Sequence, residues 1–169
     1  MRLYAMSGSA ARQRTDCAIV GLYESGALSA AATQLDTVLG GRLSRLVKRH
    51  DARGKLGECT LLDVDHGPCE RVLLVGLGKK DSFGRKQYKK ALLAAASAVA
   101  KTSARDAASF ISAEPVAATD AYYRGRLAAE AVGSALYRVP AIRSTRQPPA
   151  PALKSFGIAV AEKDQQREA

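Results

Sequence analysis

The residues best suited to chemistry are Gly76-Leu-Gly-Lys-Lys80, because glycine amides can surround an anion and lysine can neutralise it. A nucleoside triphosphate loop needs Gly, four residues, then Gly-Lys-Ser/Thr. Leu73 stands where the first glycine should be, and Lys80 where the hydroxyl should be. A dinucleotide fingerprint needs a third glycine at position 81, which is Asp81. Both motifs fail. What survives is a glycine-rich turn with a positive edge, read as a tight strand-to-helix connection with solvated lysines.

Other reactive types are scattered. Cys17, Cys59 and Cys69 form no Cys-x-x-Cys or Cys/His group of zinc-ligand spacing, and they read as buried free thiols. His66 lies in a Gly/Pro turn and reads as solvated, whereas His50 sits where a helix ends and reads as a carbonyl cap. Neither belongs to a nucleophile motif such as Gly-x-Ser-x-Gly. Asp63, Asp65, Asp81, Asp106 and Asp120 do not cluster as carboxylate metal ligands do. These residues on their own indicate a binding or scaffolding domain, not a catalyst.

Positive charge is the stronger functional signal. The chain carries 26 Lys and Arg against 16 Asp and Glu, a formal charge of +10 with pI near 9.8, which suggests a polyanionic partner. Arg42, Arg45, Lys48 and Arg49 recur at helical spacing opposite Leu43, Leu46 and Val47, either as a solvated helix face or as phosphate contacts. Arg85, Lys86, Lys89 and Lys90 crowd the start of another helix, where cations oppose the macrodipole and local stability does not explain them. With Lys79 and Lys80 after the glycine turn, and Arg143 and Arg146 in a proline-rich basic loop, these are the candidate phosphate-contacting residues.

The elements that would carry them alternate between strand and helix. Residues 72–75 are four consecutive large aliphatics, which read as a strand covered on both faces. Residues 3–6, 17–23, 58–64, 107–113 and 156–161 also have strand character, and Gly21 marks a bulge or close approach. Helices are expected over residues 28–39, 42–50, 85–101 and 120–139, with Leu28, Ala31, Ala32, Leu35, Val38 and Leu39 on the buried face of the first. Asp81-Ser82 reads as the cap ahead of the third helix, and Pro140 closes the fourth. The short turn at 65–69 predicts antiparallel neighbours, so the sheet should be mixed. Residues 143–151 form a linker or exposed loop, because their prolines lack donors.

A chain of this length can bury roughly 70% of its unfolded surface and needs no staples. It has no stretch approaching the roughly 18 apolar residues of a membrane span, and Met1-Arg2-Leu3-Tyr4 leads into polar residues, not a secretory signal. A cytoplasmic location without membrane contact is expected.

The series Gln13-Arg-Thr-Asp-Cys-Ala-Ile-Val-Gly-Leu-Tyr-Glu24, Leu28-Ser29, Gln34-Leu35-Asp36, Gly40-Gly41, Gly54-Lys55 and Arg71-Val-Leu-Leu-Val-Gly-Leu-Gly-Lys79 with Gln87-Tyr88 resembles the amino-terminal domain of bacterial leucyl aminopeptidases. That family is also called cytosol aminopeptidase or aminopeptidase A. The resemblance implies an α/β, macro-domain-like mixed sheet of about six strands with helices on both faces. It assigns residues 1–161 to a single non-catalytic domain and 162–169 to a tail or the start of an interdomain helix. It also implies a homo-hexamer whose carboxyl-terminal catalytic domain binds two divalent metals, zinc or manganese. The signatures of that domain, Asn-Thr-Asp-Ala-Glu-Gly-Arg and the Lys-Gly lysine motif, do not occur here. The expectation is therefore a chain with no catalytic or metal-binding residue and no cofactor of its own, inert alone as a peptidase.

Some bacterial members of the family bind DNA as accessory factors in recombination or transcription, which the charge of this chain matches. Contacts would be to phosphates and strongly salt-dependent. Two alternatives stand beside this reading. One is a purely structural domain supporting assembly; the other is a free-standing macro-like module for ADP-ribose or a related nucleotide, although the expected Asp-containing glycine loops are missing.

Overall fold

The computed structural model describes residues 1–117, 119–136 and 152–160. Six strands form one sheet: β1 (Arg2–Ser7), β2 (Thr15–Tyr23), β3 (Cys59–Asp63), β4 (Cys69–Gly78), β5 (Asp106–Ser109) and β6 (Ser155–Val160). Their spatial order is β1-β6-β5-β2-β4-β3. Every pairing is parallel except β3 with β4, which are antiparallel across the short 64–68 turn, so the sheet is mixed as the turn spacing predicted.

Helices cover both faces. Helix α1 (Ala30–Val38) and α2 (Arg42–Lys48) pack on one side, where Leu35, Leu39 and Leu43 meet Val72, Leu74 and Ala18. Helix α3 (Arg85–Val99) and α4 (Ala121–Leu136) pack on the other, where Tyr88, Leu92 and Val132 meet Leu73, Val75 and Leu77. Alternate residues of β4 thus feed two cores, and this is why its sequence is apolar throughout. The crossover after β2 runs over the first face, whereas those after β4 and β5 run over the second. The reversal leaves a crevice at the carboxyl ends of β2 and β5.

Several boundaries differ from expectation. Strand β5 stops at Ser109 and does not continue to 113. The Phe110 amide makes a last bond to the Ile19 carbonyl, after which Ile111–Ala113 coil into a 3-10 turn. That turn places the Ser112 hydroxyl on the Ala159 carbonyl at 2.7 Å, a bond an extended chain would forgo. Asp81 and Ser82 lie in another 3-10 turn, Lys80–Ser82, and Gly84 is the cap of α3, its amide donating to the Gln87 side chain at 3.3 Å. Val38 is half exposed, because α1 rotates Asp36 inward instead. The Asp36 carboxylate accepts the amides of Leu43 at 2.7 Å and Ser44 at 3.2 Å, capping α2 in place of Gly41, which has no side chain to offer. The 120–139 helix is described as far as Leu136. Pro140, the 143–151 segment and residues 162–169 lie outside the described residues.

Candidate functional site

The glycine turn at the end of β4 is filled by the chain itself. The 51–57 loop crosses it, with the Gly78 amide donating to the Gly54 carbonyl at 3.0 Å and the Gly57 amide to the Gly76 carbonyl at 2.9 Å. A Cβ on Gly76 would stand 1.9 Å from the Lys55 carbonyl oxygen, and one on Gly54 would stand 2.4 Å from the Tyr23 carbonyl oxygen. Gly78 has φ +78. These glycines therefore permit backbone to lie against backbone. The space a phosphate would need is occupied, consistent with the failure of both nucleotide motifs.

Around this packed junction lies a rim of exposed cations. Lys79 and Lys80 follow β4, and Arg85 and Lys86 begin α3 on one face of the sheet. On the other face α2 brings Lys48 and Arg49 to the same end, where Val47 is 3.4 Å from a Cβ on Gly26 in the turn after β2. The 51–57 loop bridges the two and adds exposed Arg53 and Lys55, which sequence reasoning missed because no helical spacing marks them. Lys90 reaches the same loop, its Cε 3.7 Å from a Cβ on Gly57.

Not every predicted cation shares the rim. Arg42 starts α2 at the opposite end and pairs with Asp65 at 3.3 Å, while Arg45 donates to the Gly40 carbonyl at 2.9 Å. Lys89 is exposed along α3. Two rim cations also pack on rings: Lys80 lies 5.7 Å from the Tyr23 centroid, and Arg85 lies 4.6 Å from that of Tyr123. Arg143 and Arg146 lie outside the described residues.

The crevice at the ends of β2 and β5 holds a residue that sequence reasoning did not nominate. Glu114, buried at 5% exposure, accepts the Tyr23 hydroxyl at 2.9 Å on one oxygen and the Ala30 amide at 2.9 Å on the other. Burial, and then the Glu114 charge, push the Tyr23 phenol upward, so it stays a donor. No local pattern signals the contact, since Glu114 is remote in sequence from both partners. A cleft of about 340 Å³ opens beside it, walled by Gly8, Ser9, Ala31, Gln34 and Phe110 among others.

Cys17 and Cys69 are buried, and burial raises their thiols to about 12 and about 11; Cys59 is half-buried and also raised by burial. His66 is exposed, and His50 ends α2 with φ 60, its own amide bonding to the Val47 carbonyl. Among the described residues no group of three or more His, Cys, Asp or Glu could hold a metal ion, and no helix is long and apolar enough to cross a membrane.

The sheet order and two-faced helical cover define a macrodomain-like α/β module. Solved structures agree: the Trypanosoma brucei macrodomain superposes with TM-score 0.71 at 16% identity, covering 98% of this chain and 64% of that one. The tomato leucine aminopeptidase mutant K354E superposes with TM-score 0.77 at 23% identity, covering 98% of this chain and 34% of that one. Sequence narrows the class. The model of the cytosol aminopeptidase family, N-terminal domain, matches residues 19–146. A "Probable cytosol aminopeptidase" of Halorhodospira halophila is 37% identical over 170 residues, covering all of this chain and 34% of its own length. A second, from Actinobacillus pleuropneumoniae, is 39% identical over 138 residues, covering 81% of this chain and 28% of its own length. The chain belongs to the cytosol aminopeptidase family, where it corresponds to the N-terminal domain, and it spans about a third of the length of the curated relatives it matches.

Proposed function

We propose that this chain is the accessory, non-catalytic domain of a cytoplasmic metallo-aminopeptidase and that it contributes a DNA-binding surface. Peptide hydrolysis would belong to a carboxyl-terminal domain with two divalent metals, zinc or manganese, and this domain would also support assembly of a homo-hexamer. The observation that carries the DNA reading is the rim at the carboxyl end of the sheet. There Lys48, Arg49, Lys79, Lys80 and Lys86 come from helices and loops on both faces, joined by Arg53 and Lys55.

Such a surface neutralises phosphates without reading bases, so the logarithm of the affinity should fall linearly with log salt, with a slope of about 0.9 per phosphate contacted. The test is an anisotropy titration of the chain with duplex DNA across a salt series. Binding at low salt that weakens steeply and is indifferent to sequence is the expected result; no binding at the lowest salt sinks the DNA role. Size measurement of the full-length protein with and without this domain tests its part in assembly.

A further inference from the structure

Open α/β sheets bind ligands outside the carboxyl ends of their strands where the crossovers change face, and a helix amino terminus there favours an anion. In this chain that position is the start of α1, beside the end of β2. We propose that Glu114 is a built-in occupant of this anion seat, and that it closes the β2/β5 crevice to pyrophosphate and nucleoside diphosphates.

The geometry supports this at each donor. Of the four amides at the start of α1 that lack an intrahelical partner, Ser29 donates to the Gly21 carbonyl at 2.9 Å, Ala30 to Glu114 Oε1 at 2.9 Å and Ala32 to the Ser29 hydroxyl at 3.2 Å. Three of the four are thus satisfied within the fold. The Ser29 hydroxyl also accepts the Gly21 amide at 3.2 Å, which fixes the cap against β2. Tyr23 holds the second carboxylate oxygen at 2.9 Å, so the side chain is anchored from two elements. A buried carboxylate is tolerated because both oxygens are hydrogen-bonded and the helix dipole favours its charge.

The backbone makes the placement firm. The 3-10 turn Ile111–Ala113 redirects the chain after β5, and Glu114 is extended ahead of Pro115, with φ −72 and ψ 144. An incoming phosphate would have to displace a like charge that is tethered to the same amide. The 340 Å³ cleft beside Glu114 remains open, but its charged end is taken. This opposes the nucleotide-binding alternative raised from sequence, and it is independent of the DNA proposal.

Calorimetric titration with ADP and with inorganic pyrophosphate tests the idea on the wild-type chain, Glu114→Ala and Glu114→Gln. The wild type should give no binding heat. Glu114→Ala should bind at least tenfold more tightly than the wild type, whereas Glu114→Gln, whose amide oxygen can still accept from Ala30, should stay closed. A folded Glu114→Ala chain that binds neither probe would overturn the proposal. One measurement does not depend on any variant folding: in a ¹⁵N-resolved spectrum of the wild type, ADP should leave the amide signals of residues 30–32 unmoved. Saturable shifts there would overturn the proposal equally.

Discussion

The carbonyl oxygen of Lys55 stands 1.9 Å from the point a Cβ would occupy on Gly76, and both groups belong to backbone that cannot swing aside. The Gly76 amide also donates to the Glu58 carbonyl at 2.7 Å, so the loop and the strand are tied as well as touching. Gly76→Ala should therefore destabilise the chain by about 3 kcal/mol, the upper range of overpacking. Gly133→Ala makes the contrast. It lies in α4 with nothing within 4 Å of a new Cβ, and should stabilise by about 0.5 to 1 kcal/mol. Urea midpoints of the two variants read the difference; equal midpoints would refute the packing of the 51–57 loop on β4.

Asp36 supports the corner between α1 and α2. Its carboxylate takes two amides of α2 and the Ser44 hydroxyl, from a residue only 8% exposed. Asp36→Ala should cost about 2 kcal/mol, the high end for a lost cap, since the α2 donors are left beneath the chain. Asp36→Asn retains one acceptor oxygen and should lose less. Thermal unfolding of the two variants ranks them, and a milder effect for Ala than for Asn would contradict the capping role.

The thiols predict both a reactivity order and a pH slope. At pH 8 Ellman's reagent should modify half-buried Cys59 first in the native chain, with Cys17 and Cys69 reacting only on unfolding. Folding raises Cys17 to about 12 and Cys69 to about 11 from the ordinary thiol value of 9.0. The folded state therefore keeps protons that the unfolded state releases above pH 9. Their contribution to stability is complete below about pH 9 and is lost as pH rises toward 11 to 12. Cys17→Ala should show a shallower alkaline loss of stability than the wild type. Identical slopes would argue against a buried, protonated Cys17.

How much of this was legible in the sequence depended on range. Residues 72–75 announced a doubly covered strand, and the 65–69 turn announced an antiparallel neighbour, because alternation and turn chemistry are local. Gly21 was legible as a close approach, although its neighbour, the Leu77 side chain 2.5 Å from a Cβ, was not. The end of β5 was misread because Phe110 and Ile111 are good strand residues. Tertiary bonds from Ser112 to Ala159 and from Arg124 to the Ser112 carbonyl turn the chain instead. No local pattern marks Glu114 or Asp36 as a cap, since the amides they accept lie on other elements. Local patterning shows where a carboxylate is, not which helix terminus folds over it.

The DNA reading makes its sharpest prediction through geography. Lys48, Arg49, Lys79, Lys80 and Lys86 lie at the carboxyl end of the sheet, whereas Arg42 is at the far end of α2 and tied to Asp65 at 3.3 Å. If the rim is the phosphate-contacting surface, each rim lysine changed to Ala should weaken DNA binding similarly on all sequences and reduce the salt slope by about one contact. Lys79→Ala combined with Lys80→Ala should flatten it further. Arg42→Ala, by contrast, should leave affinity and slope nearly unchanged, because it removes a cation already paired and remote from the rim. Lys80 and Arg85 are less clean probes, since each also packs over a tyrosine ring. The comparison of Lys79→Ala with Arg42→Ala in one salt series decides the matter: a larger loss from Arg42 would move the binding surface to the α2 flank, and equal losses would indicate non-specific attraction to the net charge of +10.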